Sequence, residues 1–237
     1  MRDFLRITIP IFAAGALAFW WAGRRVSADV RRARWIKFST YVVIVHGVLA
    51  AAIAGRSAIV ALMAAIAAAG AVEIITASRR ISRHLAVVIP LVFFAIAAGA
   101  IAFGLSAAPT FVAYVYLVVA AFDGFSQAGG QLAGRRRLAR TISPGKTVEG
   151  LFIGISGALV CAILFRGALS LSIASALTFA VIASAAGLAG DLAASWVKRR
   201  ARIKDYGTLL PGHGGVLDRF DSFLAVATVM FLLRARP

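Results

Sequence analysis

Long apolar runs separated by short, mostly basic breaks set the pattern along this chain. A membrane-crossing helix needs roughly 20 predominantly apolar residues. Eight such runs are read, over 1–23, 38–54, 58–77, 85–105, 110–127, 148–165, 169–189 and 220–233. The first ends in Phe19-Trp20-Trp21 followed by Arg24-Arg25, an interface belt. That favours a retained first span over a cleaved signal peptide, although Ala16-Leu17-Ala18 is a nominal cleavage site. The segment up to Lys37 is expected to be a basic loop, and Arg56 to mark a short turn. The seventh run is expected to continue through Asp191 to Arg200 as a helix emerging from the membrane. Ser143-Pro144 reads as a turn opening a helix, with Glu149 in its early turns. The expected fold is all-α: a polytopic integral membrane protein of about eight transmembrane helices with catalytic loops on the cytoplasmic side. One membrane domain covers 1–237, with N-terminal transmembrane helices over 1–120 and the catalytic part over 121–237.

Composition agrees. The chain has 237 residues, is 61% hydrophobic and carries a formal net charge of +17. In a soluble protein that charge would suggest nucleic acid. Here the cations lie in short loops between apolar runs, so they report topology, and no nucleic-acid partner is expected. The loops after runs one, three, five and seven hold 20 of the 26 Lys and Arg. By the positive-inside rule these loops face the cytoplasm and both termini face outward, as in a multi-pass protein of the cell (inner) membrane. Cys161, the single cysteine, excludes an internal disulfide and a cysteine metal cluster.

Acidic residues are rare and unevenly placed. Six of nine fall in two of the basic regions: Asp123, Glu149, Asp191, Asp205, Asp218 and Asp221. Around the last four run Lys198, Arg199, Lys204, Arg219 and the turn Pro211-Gly212-His213-Gly214-Gly215. Carboxylates bind Mg²⁺, which shares substrate phosphate oxygens. Successive N–H groups of a glycine turn make an anion nest, and cations neutralise the remaining charge. This is the chemistry of a metal-assisted phosphate site. Helical spacing puts Asp191, Ser195 and Lys198 on one face. Gly145-Lys146-Thr147 is not a P-loop, because Arg140 stands where the motif needs glycine. His46 is read as a packing residue. Glu73 has two open readings: a functional carboxylate at membrane depth, or a partner for Arg79-Arg80.

These motifs resemble the signature of phosphatidate cytidylyltransferases, also called CDP-diacylglycerol synthases. The matching residues are Ser195, Lys198-Arg199, Lys204-Asp205, the turn from Pro211 through Gly215, Leu217-Asp218-Arg219 and Asp221-Ser222. A second region agrees through Asp123, Gly130, Gly134, Leu138, Ile142-Ser143-Pro144, Lys146-Thr147 and Glu149-Gly150. The resemblance implies attack by the phosphate of phosphatidate on the α-phosphorus of CTP, giving CDP-diacylglycerol and pyrophosphate in membrane phospholipid synthesis. It implies Mg²⁺ on Asp191 and Asp218 with Asp221 near them, and it admits a monovalent cation such as K⁺ and a homodimer. Asp191, Lys198, Asp218, Arg219 and Asp221 are the expected catalytic residues. Asp123, Ser143, Lys146, Thr147, Arg199, Lys204 and the turn residues Gly212, His213, Gly214 and Gly215 are expected to bind substrate. Asp123 is a candidate for a second metal. The chain departs from the family pattern at Ala194, at Ser126-Gln127 and at Arg140. The rival readings are a CTP-dependent lipid kinase of the dolichol or phytol type and an ion-coupled transporter using Glu73 and Asp123.

Overall fold

A computed structural model describes residues 2–24 and 27–234. Eight α-helices account for most of it: α1 Arg2–Gly23, α2 Ala28–Ala54, α3 Arg56–Ser78, α4 Arg83–Ser106, α5 Pro109–Ala133, α6 Val148–Phe165, α7 Ile173–Arg200 and α8 Leu217–Leu232. Six of them, α2 to α7, are long and apolar enough to cross a membrane by length and composition. At 16 residues α8 rises about 24 Å, short of a hydrocarbon core of about 30 Å. The eight expected spans therefore correspond to eight helices, six of which, among the described residues, meet the length and composition of a span. The protein is a polytopic membrane protein.

The core is centred on α5. Every residue from Phe111 to Val119 is buried, so this helix is apolar all round because neighbours surround it. Along the perimeter the exposed side chains are apolar too: Val43, Val72, Leu91, Phe152 and Val181 are all more than half exposed. A shell of this kind suits acyl chains, which are as apolar as the side chains they meet.

Close helix packing is concentrated between α5 and α6. A Cβ added at Gly154 would lie 1.8 Å from the Ser126 hydroxyl and 2.8 Å from the Phe122 carbonyl, and one at Gly157 would lie 2.4 Å from the Phe125 ring. Glycine is needed there so that the backbones can approach, as small residues do in membrane helix pairs.

Several sequence expectations change. From Ala28 to Lys37 the basic stretch is helix rather than loop, and its Arg25 lies outside the described residues: nothing between Asp29 and Ala54 breaks a helix, and Asp29 sits favourably in its first turn. The break before α3 is Gly55, at φ +109°, and Arg56 already begins the helix. The fold is all-α as expected, apart from one small hairpin. Arg137–Ala139 (β1) and Ser143–Thr147 (β2) form an antiparallel hairpin. Ser143-Pro144 thus lies on a strand, and proline is tolerated because a two-stranded hairpin is all edge. The helix opens at Val148, with Glu149 in its first turn as expected. It is capped by Thr147, whose Oγ1 accepts from Gly150 N at 3.0 Å. Helix α7 does run on to Arg200, and α8 starts at Leu217, so Asp218 and Asp221 are helical.

Candidate active site

Four elements bring the polar residues to the basic end of the bundle: α5 carries Asp123, β2 carries Lys146, α7 carries Asp191 and Lys198, and α8 carries Asp218, Arg219 and Asp221. All of them line one cavity of about 530 Å³, as do Ser143, Thr147, Arg199 and Lys204. Its deeper wall is apolar, from Ile44, Tyr116, Val119, Leu188 and Phe223. These lie further along their helices from the basic end than the carboxylates do. The cavity is charged at its mouth and greasy towards the bilayer.

Three carboxylates share its polar end. Asp123, Asp191 and Asp221 lie within electrostatic reach of one another. Lys146 donates to Asp191, on which Ser195 Oγ also donates at 3.3 Å. Ser222 Oγ donates to Asp123 at 3.4 Å, and Ser222 N to Asp221 at 2.7 Å. The shared face of Asp191, Ser195 and Lys198 is therefore used, as their spacing required.

Asp218 differs from these three. Its side chain is 2% exposed, and Lys198 Nζ donates to Oδ1 at 2.7 Å. Oδ2 accepts from Tyr206 N at 2.8 Å and Gly215 N at 2.9 Å. The pair holds the loop between α7 and α8 in place, and Lys198 also lies 5.3 Å from the centroid of the Tyr206 ring. Burial, the nearby carboxylates adding to it, raises the Tyr206 phenol above its ordinary value, so it stays a neutral donor to Ala194 O at 2.9 Å.

The glycine turn does not line the cavity. Gly212 (φ +72°) packs beside Lys37, and Thr40 Oγ1 donates to Pro211 O at 3.1 Å, so the turn is tied to α2. Gly214 (φ +85°) stands where a Cβ would lie 2.8 Å from Asp218 Oδ2. His213 is half-buried, and its carbonyl accepts from Arg219 Nε at 3.1 Å. Desolvation holds the His213 imidazole below its ordinary value, and the charges of Arg219 and Lys37 push the same way. Arg199 Nε donates to Ile142 O at 3.1 Å, joining α7 to the hairpin turn.

Glu73 pairs with neither Arg79 nor Arg80. Its carboxylate accepts from Val216 N at 2.9 Å and Leu217 N at 2.8 Å, capping α8 from α3. Gly215 leaves room for it: a Cβ there would lie 2.3 Å from Glu73 Oε1. A carboxylate at a helix N-terminus satisfies orphan N–H groups and opposes the dipole.

The donor set fits Mg²⁺. Carboxylate oxygens are its usual protein ligands, and three mutually repelling carboxylates facing a cavity gain from a divalent ion. Among the described residues no three His, Cys, Asp or Glu side chains converge on one point, and Mg²⁺ needs only one or two carboxylates beside waters and substrate phosphates. Sequence reasoning missed Tyr206, which sits beside the noted Lys204-Asp205, and Ser126, one helical turn beyond Asp123. Ser126 lines the cavity, and its buried hydroxyl has no partner.

A phosphatidate cytidylyltransferase of Bacillus subtilis (strain 168) is 42% identical over 128 residues, covering 53% of this chain and 48% of the relative. One of Staphylococcus haemolyticus is 41% identical over 125 residues, covering 52% and 48%. Phosphatidate cytidylyltransferase 5, chloroplastic, of Arabidopsis thaliana is 41% identical over 115 residues, covering 48% and 29%. The chain thus spans about half the length of the bacterial relatives it matches. The cytidylyltransferase family matches over residues 8–235, from the first helix to the last and through both loops that build the cavity. The chain belongs to the cytidylyltransferase family.

Proposed function

We propose that this protein transfers CMP from CTP to phosphatidate, forming CDP-diacylglycerol and pyrophosphate. The observation that carries this is the cavity itself, where Asp123, Asp191 and Asp221 meet Lys146, Lys198, Arg199, Lys204 and Arg219 above an apolar wall. The named relatives support the same reading. A phosphate oxygen of the lipid bonds to the α-phosphorus of CTP. The bond from that phosphorus to the bridging oxygen breaks, and pyrophosphate leaves with the electron pair. The attacking phosphate is already an anion, so no general base is needed. Two anions must approach, so the cavity's cations lower the barrier by cancelling repulsion and by holding the charge that develops on the leaving group. Lys204, Arg199 and Arg219 are exposed at the mouth and suit the triphosphate. Lys146 reaches the carboxylates and suits the reacting phosphates. Apolar residues on the deeper wall suit the first carbons of the acyl chains, which fixes the lipid's direction of entry. In-line positioning supplies much of the remaining acceleration.

Asp191, Asp221 and Asp123 would hold Mg²⁺, with Asp218 joining them if it exchanged Lys198 for the ion. Mg²⁺ supplies charge neutralisation at the phosphates. A monovalent cation such as K⁺, a homodimer and a cytoplasmic active site belong to the same reading.

Purified protein in detergent micelles with Mg²⁺, labelled CTP and phosphatidate tests it. CDP-diacylglycerol appearing in step with pyrophosphate, and lost on chelation, is the expected result. Lipid phosphate formed with CDP would instead show a CTP-dependent lipid kinase.

A further inference from the structure

The last turn of α7 has a second side. Lys198 and Arg199 face the catalytic cavity, but Arg200 faces another, of about 650 Å³, together with Arg80, Ser82, Leu85 and Arg202. The two cavities share no lining residue. The guanidiniums of Arg80, Arg200 and Arg202 are exposed, and none pairs with a carboxylate among the described residues. Arg202 sits at φ +55°, a left-handed backbone position where a helix end usually places glycine. The same pocket borders the start of α4. Ser82 is its N-cap but makes no side-chain capping bond, so the first-turn N–H groups of α4 receive no cap from it. Arginine forks and an open helix N-terminus both select phosphate oxygens.

What lies beneath the arginines identifies the source of that phosphate. Leu85, Val88 and Val92 follow one face of α4, with Val88 50% and Val92 54% exposed, and Leu91 beside them 62% exposed. That apolar strip runs from the pocket along a membrane-spanning helix. A free anion would use the arginines and ignore the strip, whereas a phospholipid uses both. We propose that this cavity is a second lipid site, separate from the catalytic one, which holds the phosphate of an anionic phospholipid of the surrounding bilayer. The inference does not depend on the proposed reaction.

The test uses the full chain, delipidated in detergent and followed by native mass spectrometry. Its probe is phosphatidylglycerol, a phosphodiester that lacks the phosphate monoester of phosphatidate. Phosphatidylcholine and inorganic phosphate are the other arms. The first phosphatidylglycerol is expected to bind at least tenfold more tightly than phosphatidylcholine. R80Q/R202Q is expected to weaken phosphatidylglycerol roughly thirtyfold, from the loss of two basic contacts, with phosphatidylcholine unchanged. R80K/R202K keeps the charge and is expected to lose less than tenfold. Unchanged phosphatidylglycerol affinity in R80Q/R202Q overturns the proposal. Equal losses in both double variants overturn it as well, since they mark a folding defect. Displacement of the lipid by millimolar inorganic phosphate overturns the lipid assignment in favour of a free anion.

Discussion

Asp218 and Asp191 look alike in the sequence, and the structure gives them different surroundings. Asp218 is 2% exposed and bonded to Lys198, itself 12% exposed, while the side chain of Asp191 is 26% exposed. Replacing Asp218 by Asn leaves a buried lysine without its partner, which costs about 3–5 kcal/mol. D218N is therefore expected to lower the unfolding free energy by about that amount and to abolish turnover. D191N is expected to abolish turnover with a much smaller change in denaturant midpoint. Equal stability of the two variants would show that the Lys198 pair carries no structural load. His213 provides a pH signature. Its folded value lies below the ordinary value near 6.5, so on acidification the unfolded chain takes up the proton first. The stability this residue contributes is present above that ordinary value and is lost as pH falls through the folded one. H213Q is expected to flatten the acid limb of the stability profile, seen in melts as pH falls below the ordinary imidazole value near 6.5. Residue types and helical spacing disclosed the carboxylates and the shared face of Asp191, Ser195 and Lys198. They could not disclose that Glu73 caps a helix whose first residue lies 144 positions later, because that partner is created by tertiary packing.

At the scale of elements, the apolar runs located every helix, since hydrophobic length is a local property. Boundaries failed where a helix leaves the apolar region, as in α2, whose first turns are helical although cations interrupt the apolar residues there. The β1–β2 hairpin was illegible because its strands are only three and five residues long and show no sustained apolar alternation. Between α5 and α6 the glycines set the helix separation. Gly154→Ala is expected to cost about 1–3 kcal/mol, because its Cβ meets the Ser126 hydroxyl and the Phe122 carbonyl. Adding Ser126→Ala should recover part of that loss by removing the nearer atom. A melt of G154A indistinguishable from wild type would mean that the two helices separate freely.

For the whole molecule, charge predicts orientation. The carboxylate-lined cavity and the arginine pocket lie at the same end, which the positive-inside rule predicts to face the cytoplasm. In a C161A background, cysteine at Leu132 (88% exposed, at that end) is expected to resist an impermeant maleimide in intact cells. Cysteine at Ser106, on the opposite end, is expected to react, and the reverse pattern would invert the topology. Sequence displayed the family through its loops and the bundle through its hydropathy, but not how the halves engage. The cap from Glu73 decides that question. Because α8 begins on a carboxylate supplied by α3, the first four helices help to position the helix that carries Asp218 and Asp221, more than merely anchoring it. A gene split at residue 108 should then behave as a complementing pair. The piece 109–237 is expected to be degraded when made alone, to regain activity when coproduced with 1–108, and to stay inactive when that partner carries E73A.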